Sequence, residues 1–411
     1  MKSVAAKGSV LLFLLYTMWY KEAFGDFLPG LYGGAALIVI TTLLYVDHKP
    51  LKAIIPPNGI IWGVGFGIYS LVSGIVVASN RGLLVSSIVT YMAFMIICWC
   101  ICIICHGEND IHWLLKCITI VCYVCAVYTV VFGKASGNSI NGMNAITMSS
   151  ENNPNALGML MVFGTFSVLY DKKHKFGELI WMLGSVLLFC YVIILTGSRK
   201  SLVSAGLLCF GWLVSFVRDT HNLNNKNEKR IRYGVLMVAL AIGITYFIKE
   251  YVNTVSFAKM LRLGSDGSTL KRMEMYREGV EFFKSSKLFG VGYNQYRVKS
   301  AFNTYAHSTY AEVLADGGFF GCLLYFYPII KTGVILVKKL KTKLSYQQAM
   351  LLALYAVEML LGVGVIFMYS FGHLLMWSIL YMTAETEYLS EVTDDSRGEM
   401  LCLKSKRFLG F

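Results

Sequence analysis

The sequence predicts an all-α polytopic membrane protein with one large extracytoplasmic loop containing short helices. Three observations predict it. The 411 residues are 56% hydrophobic and only 15% charged, with a mean hydropathy of +0.58, whereas soluble domains carry about a quarter charged residues. Apolar runs recur along almost the whole chain, and a run of about 20 residues crosses a bilayer as a helix. The short alternating segments that build a membrane β-barrel do not occur.

Twelve spans are read in order: 8–20, 28–46, 59–79, 85–105, 111–133, 153–170, 179–198, 200–217, 233–252, 317–337, 347–364 and 366–384. The first is short, like a signal peptide. Trp19, Tyr20, Lys21 and Glu22 follow it where a small-residue cleavage site would stand, so it is read as a span. The spans form a single integral membrane domain, 1–411, interrupted by the loop at 253–316.

The net charge is +13. With the N-terminus inside, cationic residues crowd the inner segments: Lys2, Lys7, Lys49, Lys52, Lys172, Lys173, Lys175, Arg218, Lys226, Lys229, Arg230, Arg232, Lys338, Lys339, Lys341, Lys343 and the C-terminal Arg397, Lys404, Lys406 and Arg407. The short loops opposite hold Lys21, Arg81, Lys134, Arg199 and Lys200. This asymmetry is the positive-inside bias. It predicts a multi-pass protein of the cytoplasmic membrane with both termini cytoplasmic, and the charge then sets topology, with no nucleic-acid partner. The 11 cysteines sit almost entirely in the spans. Neighbours such as Cys98, Cys100 and Cys102 project to different sides of a helix and do not converge on one metal ion.

The 253–316 loop is rich in aromatics, and 269–284 reads as an amphipathic helix. Leu270, Met273, Tyr276, Val280 and Phe283 repeat at helical spacing, with Ser268 as cap. Arg272, Tyr276, Gly279 and Phe283 share a face. A glycine-bearing turn, L-F-G-V-G-Y, follows. The loop is basic overall; most of its lysines fit a solvated surface against anionic headgroups, and its arginines suit phosphate through paired planar hydrogen bonds. Arg199, in T-G-S-R-K between two spans, has two readings: a snorkelling helix anchor, or an anion-binding group at a helix start.

The stretch Y-A-H-S-T-Y-A-E-V-L-A-D-G-G-F-F-G, 305–321, ends the loop. Thr309 and Glu312 have capping-box spacing, which places His307 just outside a helix N-terminus. There the helix dipole favours a neutral imidazole. Asp316 is read as a turn residue before Gly317 and Gly318. Glu358 and His373 fall inside spans eleven and twelve, where ionisable groups face the protein interior; they pair structurally or line an acceptor cavity.

T-G-S-R-K, K-R-M-E-M-Y-R-E-G, L-F-G-V-G-Y-N-Q-Y and A-H-S-T-Y-A-E-V-L-A-D-G-G-F-F-G occur in that order. Together they resemble the O-antigen ligase/polymerase family, bacterial membrane glycosyltransferases of the C-type architecture. The resemblance covers roughly spans six to ten. It implies transfer of a glycan from a polyprenyl diphosphate to an acceptor hydroxyl on the outer face, without metal or cofactor. Matched by position, it implies that His307, Arg272 and Arg199 are catalytic. Lys200, Arg277, Tyr276 and Asn155 are then expected to bind substrate, Asn155 because E-N-N-P-N resembles the family's Pro-Asn pair. Lys287 stands where a proline is common, Tyr276 where a tryptophan is usual, and Cys322 and Leu323 where some ligases carry paired threonines.

The chemistry suits these residues. A diphosphate already leaves well, so the protein must bind and neutralise its charge, which arginines do. Histidine is matched to removing a hydroxyl proton near neutral pH. The expected partners are a polyprenyl-diphosphate-linked oligosaccharide donor, a glycan or lipid-linked acceptor, the lipid bilayer and other polysaccharide assembly proteins. Polymerisation of repeat units is the favoured reaction, and ligation to a lipid A core is the alternative. A lipid-linked oligosaccharide flippase is the rival class, but the chain shows no repeated halves of the kind transporters carry.

Overall fold

A computed structural model describes residues 2–25, 28–46, 54–140, 143–149, 153–171, 175–221, 226–251, 267–339 and 345–385. The first part of the expected loop, 253–266, and the C-terminal 386–411 lie outside the described residues. In chain order come α1 (Lys2–Phe24), α2 (Leu28–Val46), α3 (Asn58–Val77), α4 (Arg81–Ile104) and α5 (Glu108–Phe132). A hairpin of β1 (Lys134–Ile140) and β2 (Met143–Thr147) follows. Then come α6 (Pro154–Leu169), α7 (Phe176–Thr196), α8 (Arg199–His221) and α9 (Lys226–Tyr251). The loop contributes α10 (Gly267–Ser285) and the short α11 (Tyr296–Lys299). Last are α12 (Thr309–Lys339), α13 (Tyr346–Leu361) and α14 (371–385).

Among the described residues, eight helices are long and apolar enough to cross a membrane. The shorter apolar α6 and α13, with α9 and α14, fill the other expected spans. The protein is an all-α polytopic membrane protein. The β-hairpin departs from the expected short connection at 134–152, and β2 packs against α6 and α7.

α6 sits at the centre. It is apolar all round and buried on nearly every side, as a helix without a polar face must be, with α5, α7 and α8 around it. Gly164 lets α5 approach: a Cβ there would lie 2.8 Å from that of Cys122.

Contacts alternate between two ends of the bundle, as antiparallel neighbours require. At one end, Lys7 pairs with Asp110 at 2.6 Å, Trp99 donates to the Ile54 carbonyl and Tyr346 to the Leu169 carbonyl. At the loop end, the Asn80 N–H donates to Gln295 Oε1 at 2.8 Å, and Asn294 Nδ2 reaches Ser87 Oγ at 2.6 Å.

The two glycine motifs form one device. Gly318 breaks α12 with φ 61° and ψ −159°, a conformation essentially confined to glycine. The break frees the carbonyls of Ala315 and Asp316, which accept from the N–H groups of Val291 and Gly292, both at 2.9 Å. Beyond it, the Phe319 and Phe320 N–H groups donate to the carbonyls of Lys287 and Leu288. A Cβ on Gly318 would lie 2.5 Å from the Gly290 nitrogen, and one on Gly290 2.4 Å from the Asp316 oxygen.

α10 is helical as expected, but two details differ. It begins at Gly267, so Ser268 lies in its first turn and not before it. Its apolar repeat also faces outward in part. Leu270, Met273 and Val280 are exposed, while Met275 and Gly279 are buried against Tyr296 and Ala311. The second expected face holds better: Arg272, Tyr276 and Phe283 are half-buried alongside Gly279.

Candidate functional site

The turn joining α13 to α14 collects the site. Lys200 Nζ, in the first turn of α8, donates to the Gly364 carbonyl at 2.5 Å. Tyr276 Oη of α10 donates to the Val363 carbonyl at 2.6 Å. Thr309 of α12 donates through Oγ1 to the Val365 carbonyl at 2.7 Å and through its N–H to Gly362 and Val365. One short segment, 362–365, therefore binds three elements far apart in sequence. Two glycines in this four-residue segment, Gly362 and Gly364, are its sequence signal.

His307 stands where expected, two residues before α12 begins. The cap differs by one position: the Ala311 N–H donates to Ser308 Oγ, and Thr309 turns to Val365. Glu312 is not the reciprocal member of that cap. It is fully buried, and its carboxylate accepts from the Ala306 N–H at 2.6 Å and from Tyr369 Oη at 3.1 Å. Asp316 is likewise no exposed turn residue. It is buried and accepts from the N–H groups of Asn294 at 2.6 Å and Tyr296 at 2.8 Å. A buried carboxylate needs such partners, and here they pin the loop to α12.

Those bonds hold His307 at φ 55°, a left-handed conformation that costs a non-glycine residue about 1–3 kcal/mol. Its ring lies on Tyr305, with centroids 4.3 Å apart. The Arg297 guanidinium lies over the rings of Tyr305 and Tyr369 at 5.9 and 5.8 Å, and its Nε is buried without a hydrogen-bond partner. Arg297 belongs to none of the expected positions.

Burial, then Arg272, Lys200 and Lys271, push the His307 imidazole down to about 4. The neutral form was expected from the helix N-terminus; desolvation and three cations act in the same direction. Lys271, with its ammonium 5.5 Å from the Phe302 ring, was not among the expected site residues. The burial of Tyr276 raises its phenol, and Arg272 on the next helical turn opposes that rise.

The other expected residues spread around this group. Arg199 opens α8 and is half-buried. Before it, Gly197 closes α7 in the left-handed conformation, and Ser198 and Ser201 share a hydroxyl hydrogen bond under Gly158. Asn155 lies in the first turn of α6, where its N–H and Nδ2 both donate to Asn153 Oδ1 at 3.0 Å. Arg277 is exposed, on the same stripe as Met273 and Val280, and is not among the cations acting on His307. Among the described residues, no group of three or more His, Cys, Asp or Glu could hold a metal ion.

Residues 184–326 match the family model described as O-antigen ligase. The stretch runs from α7 into α12 and contains Arg199, Lys200, Arg272, Tyr276, Arg277 and His307, leaving Asn155 and the 362–365 turn outside. It supports the O-antigen ligase/polymerase assignment and an O-antigen ligase-type function, and lends nothing to a flippase. A search of curated proteins finds no match.

Proposed function

From the O-antigen ligase region of this membrane protein, we propose an outer-face glycosyltransferase that uses a polyprenyl-diphosphate-linked oligosaccharide. The single observation that carries the reading is the gathering of Arg272, Lys200 and Lys271 around His307. Arg272, Lys200 and Arg199 take the donor diphosphate. The acceptor oxygen bonds to the anomeric carbon as the bond from that carbon to the diphosphate oxygen breaks. The hydroxyl proton passes to His307, and polyprenyl diphosphate leaves as the anion the cations stabilise.

The same cations weaken His307 as a base while the site is empty. A bound diphosphate offsets their charge, so the imidazole regains proton affinity once the donor is in place. Base strength is thereby coupled to donor occupancy.

Repeat-unit polymerisation is the favoured reaction, supported by Cys322 and Leu323 in place of the threonine pair. Ligation is the second reading, favoured by the description of the matched family. Deleting the gene in its host separates them. A polymerase leaves single repeat units on the final acceptor; a ligase leaves polymer on its lipid carrier and a bare acceptor. The shared reading is tested in proteoliposomes with lipid-linked glycan: His307→Ala and Arg272→Ala should each abolish transfer, and near wild-type yield from either removes that residue's role.

A further inference from the structure

A second polar site lies at the loop end, on the far side of the segment that leads into α14. Between the end of α1, the first turns of α6 and residues 369–373 is a cavity of about 230 Å³. Lys21, Glu22, Ser370 and His373 supply its polar lining, and Phe163 and Phe371 supply aromatic faces. His373 is 1% exposed. Its Nδ1 is 2.9 Å from Glu358 Oε2, which orients the ring, while Nε2 is buried with no hydrogen-bond partner. An orphaned buried imidazole nitrogen costs free energy unless something completes it, and His373 forms part of the cavity wall.

The cavity joins the candidate site through one residue. Tyr369 lines it and also donates its hydroxyl to Glu312, five residues beyond His307. Charged and hydroxylic groups beside aromatic rings suit a sugar, which presents hydroxyls at its edge and apolar C–H groups on its faces. The volume is below the roughly 300–1,000 Å³ of drug-sized sites, which fits one sugar ring.

We propose that this cavity binds a sugar ring of the acceptor, with His373 hydrogen-bonding one of its hydroxyls. The inference rests on the glycosyltransferase reading above. The acceptor would approach from the α1–α6 side and the donor from the α8–α10 side, with Tyr369 between them.

The test is saturation-transfer NMR on the full chain in nanodiscs, with methyl and octyl glycosides of glucose, galactose and N-acetylglucosamine. At least one methyl glycoside should give ring-proton signals. Ala156→Phe, which fills the cavity from its wall, and His373→Gln should each weaken binding roughly tenfold. Ala156→Phe keeps the test decisive if His373→Gln does not fold. Silence from every methyl glycoside, or signals that survive Ala156→Phe, overturns the proposal. Signals confined to the octyl chains make the cavity a lipid-tail cleft and also overturn it. Ring binding without any glycan transfer by the wild type would uphold this site and remove the transferase reading, so the two fail separately.

Discussion

His307 and His373 sit at the same end of one bundle and are opposites in environment. His307 is half-buried, faces Arg272, Lys200 and Lys271, and is held in a left-handed backbone conformation. His373 is buried in regular helix, with Glu358 on Nδ1 and the rings of Phe163 and Phe367 against it. Cations disfavour a proton on an imidazole, and a carboxylate orients one. Residue type alone therefore says little; the neighbours decide whether a histidine is tuned towards a bound anion or locked for hydrogen bonding.

Removing the groups of the first histidine should have the largest effect. His307→Ala is expected to lower transfer about 10²–10⁴-fold, the span typical of a general base, and Arg272→Ala about 10²–10³-fold, as for a lost charge-stabilising donor. Both should leave membrane insertion intact, measured by transfer in proteoliposomes alongside expression. If His373→Ala costs as much as His307→Ala with donor use equally lost, the contrast between the two collapses.

Next comes the support beneath His307. Gly318→Ala forces a Cβ against the Gly290 nitrogen in a glycine-only conformation, and should cost about 3 kcal/mol or more. Thermal melting and protease protection of the loop should both fall, while the Glu358–His373 pair keeps its local order.

The pH profile sharpens the comparison further. The neutral imidazole is the active form, and a lowered folded-state value keeps it neutral as acid is added. The acid limb of kcat/KM for the wild type should therefore lie near pH 4, not near the ordinary 6.5. Arg272→Gln removes one of the cations and should move that limb upward. A limb at 6.5 in the wild type, or one unmoved by Arg272→Gln, would break the electrostatic account.

The smallest effects belong to an exposed group outside both environments, Arg277, and to a conservative change within the second, at Glu358. Arg277→Ala should change transfer by less than about twofold, in keeping with small effects at exposed positions away from special features. Glu358→Gln keeps an acceptor for Nδ1–H of His373, so a small shift in melting temperature with unchanged donor KM is expected. A large rise in donor KM from either variant would show that the site is wider than the group around His307.

Much of this was legible in the chain because membranes simplify the problem. Span position follows from apolar length, so twelve expected spans each meet a helix. The hairpin carries no apolar run, and its sequence signal is the pair Asn141-Gly142, a tight-turn dipeptide between short, mostly polar segments. The capping box slipped by one residue because Ser308 and Thr309 are both good caps, and only the 362–365 carbonyls distinguish them. The apolar repeat of α10 leaves Leu270 and Val280 exposed because spacing defines a stripe without saying what lies opposite it.

The sequence by itself determined the membrane class, the span order and the glycine motifs, since apolar length and backbone freedom are local properties; the candidate set containing Arg272, Lys200 and His307 was drawn with the help of a family resemblance. Tertiary structure alone decided that two glycine motifs are one interlock, that Glu312 and Asp316 bind loop N–H groups, and that the 362–365 turn draws Lys200, Tyr276 and Thr309 together. Those outcomes depend on which donors and acceptors meet between segments that lie from 6 to 164 residues apart, and no local pattern encodes that meeting.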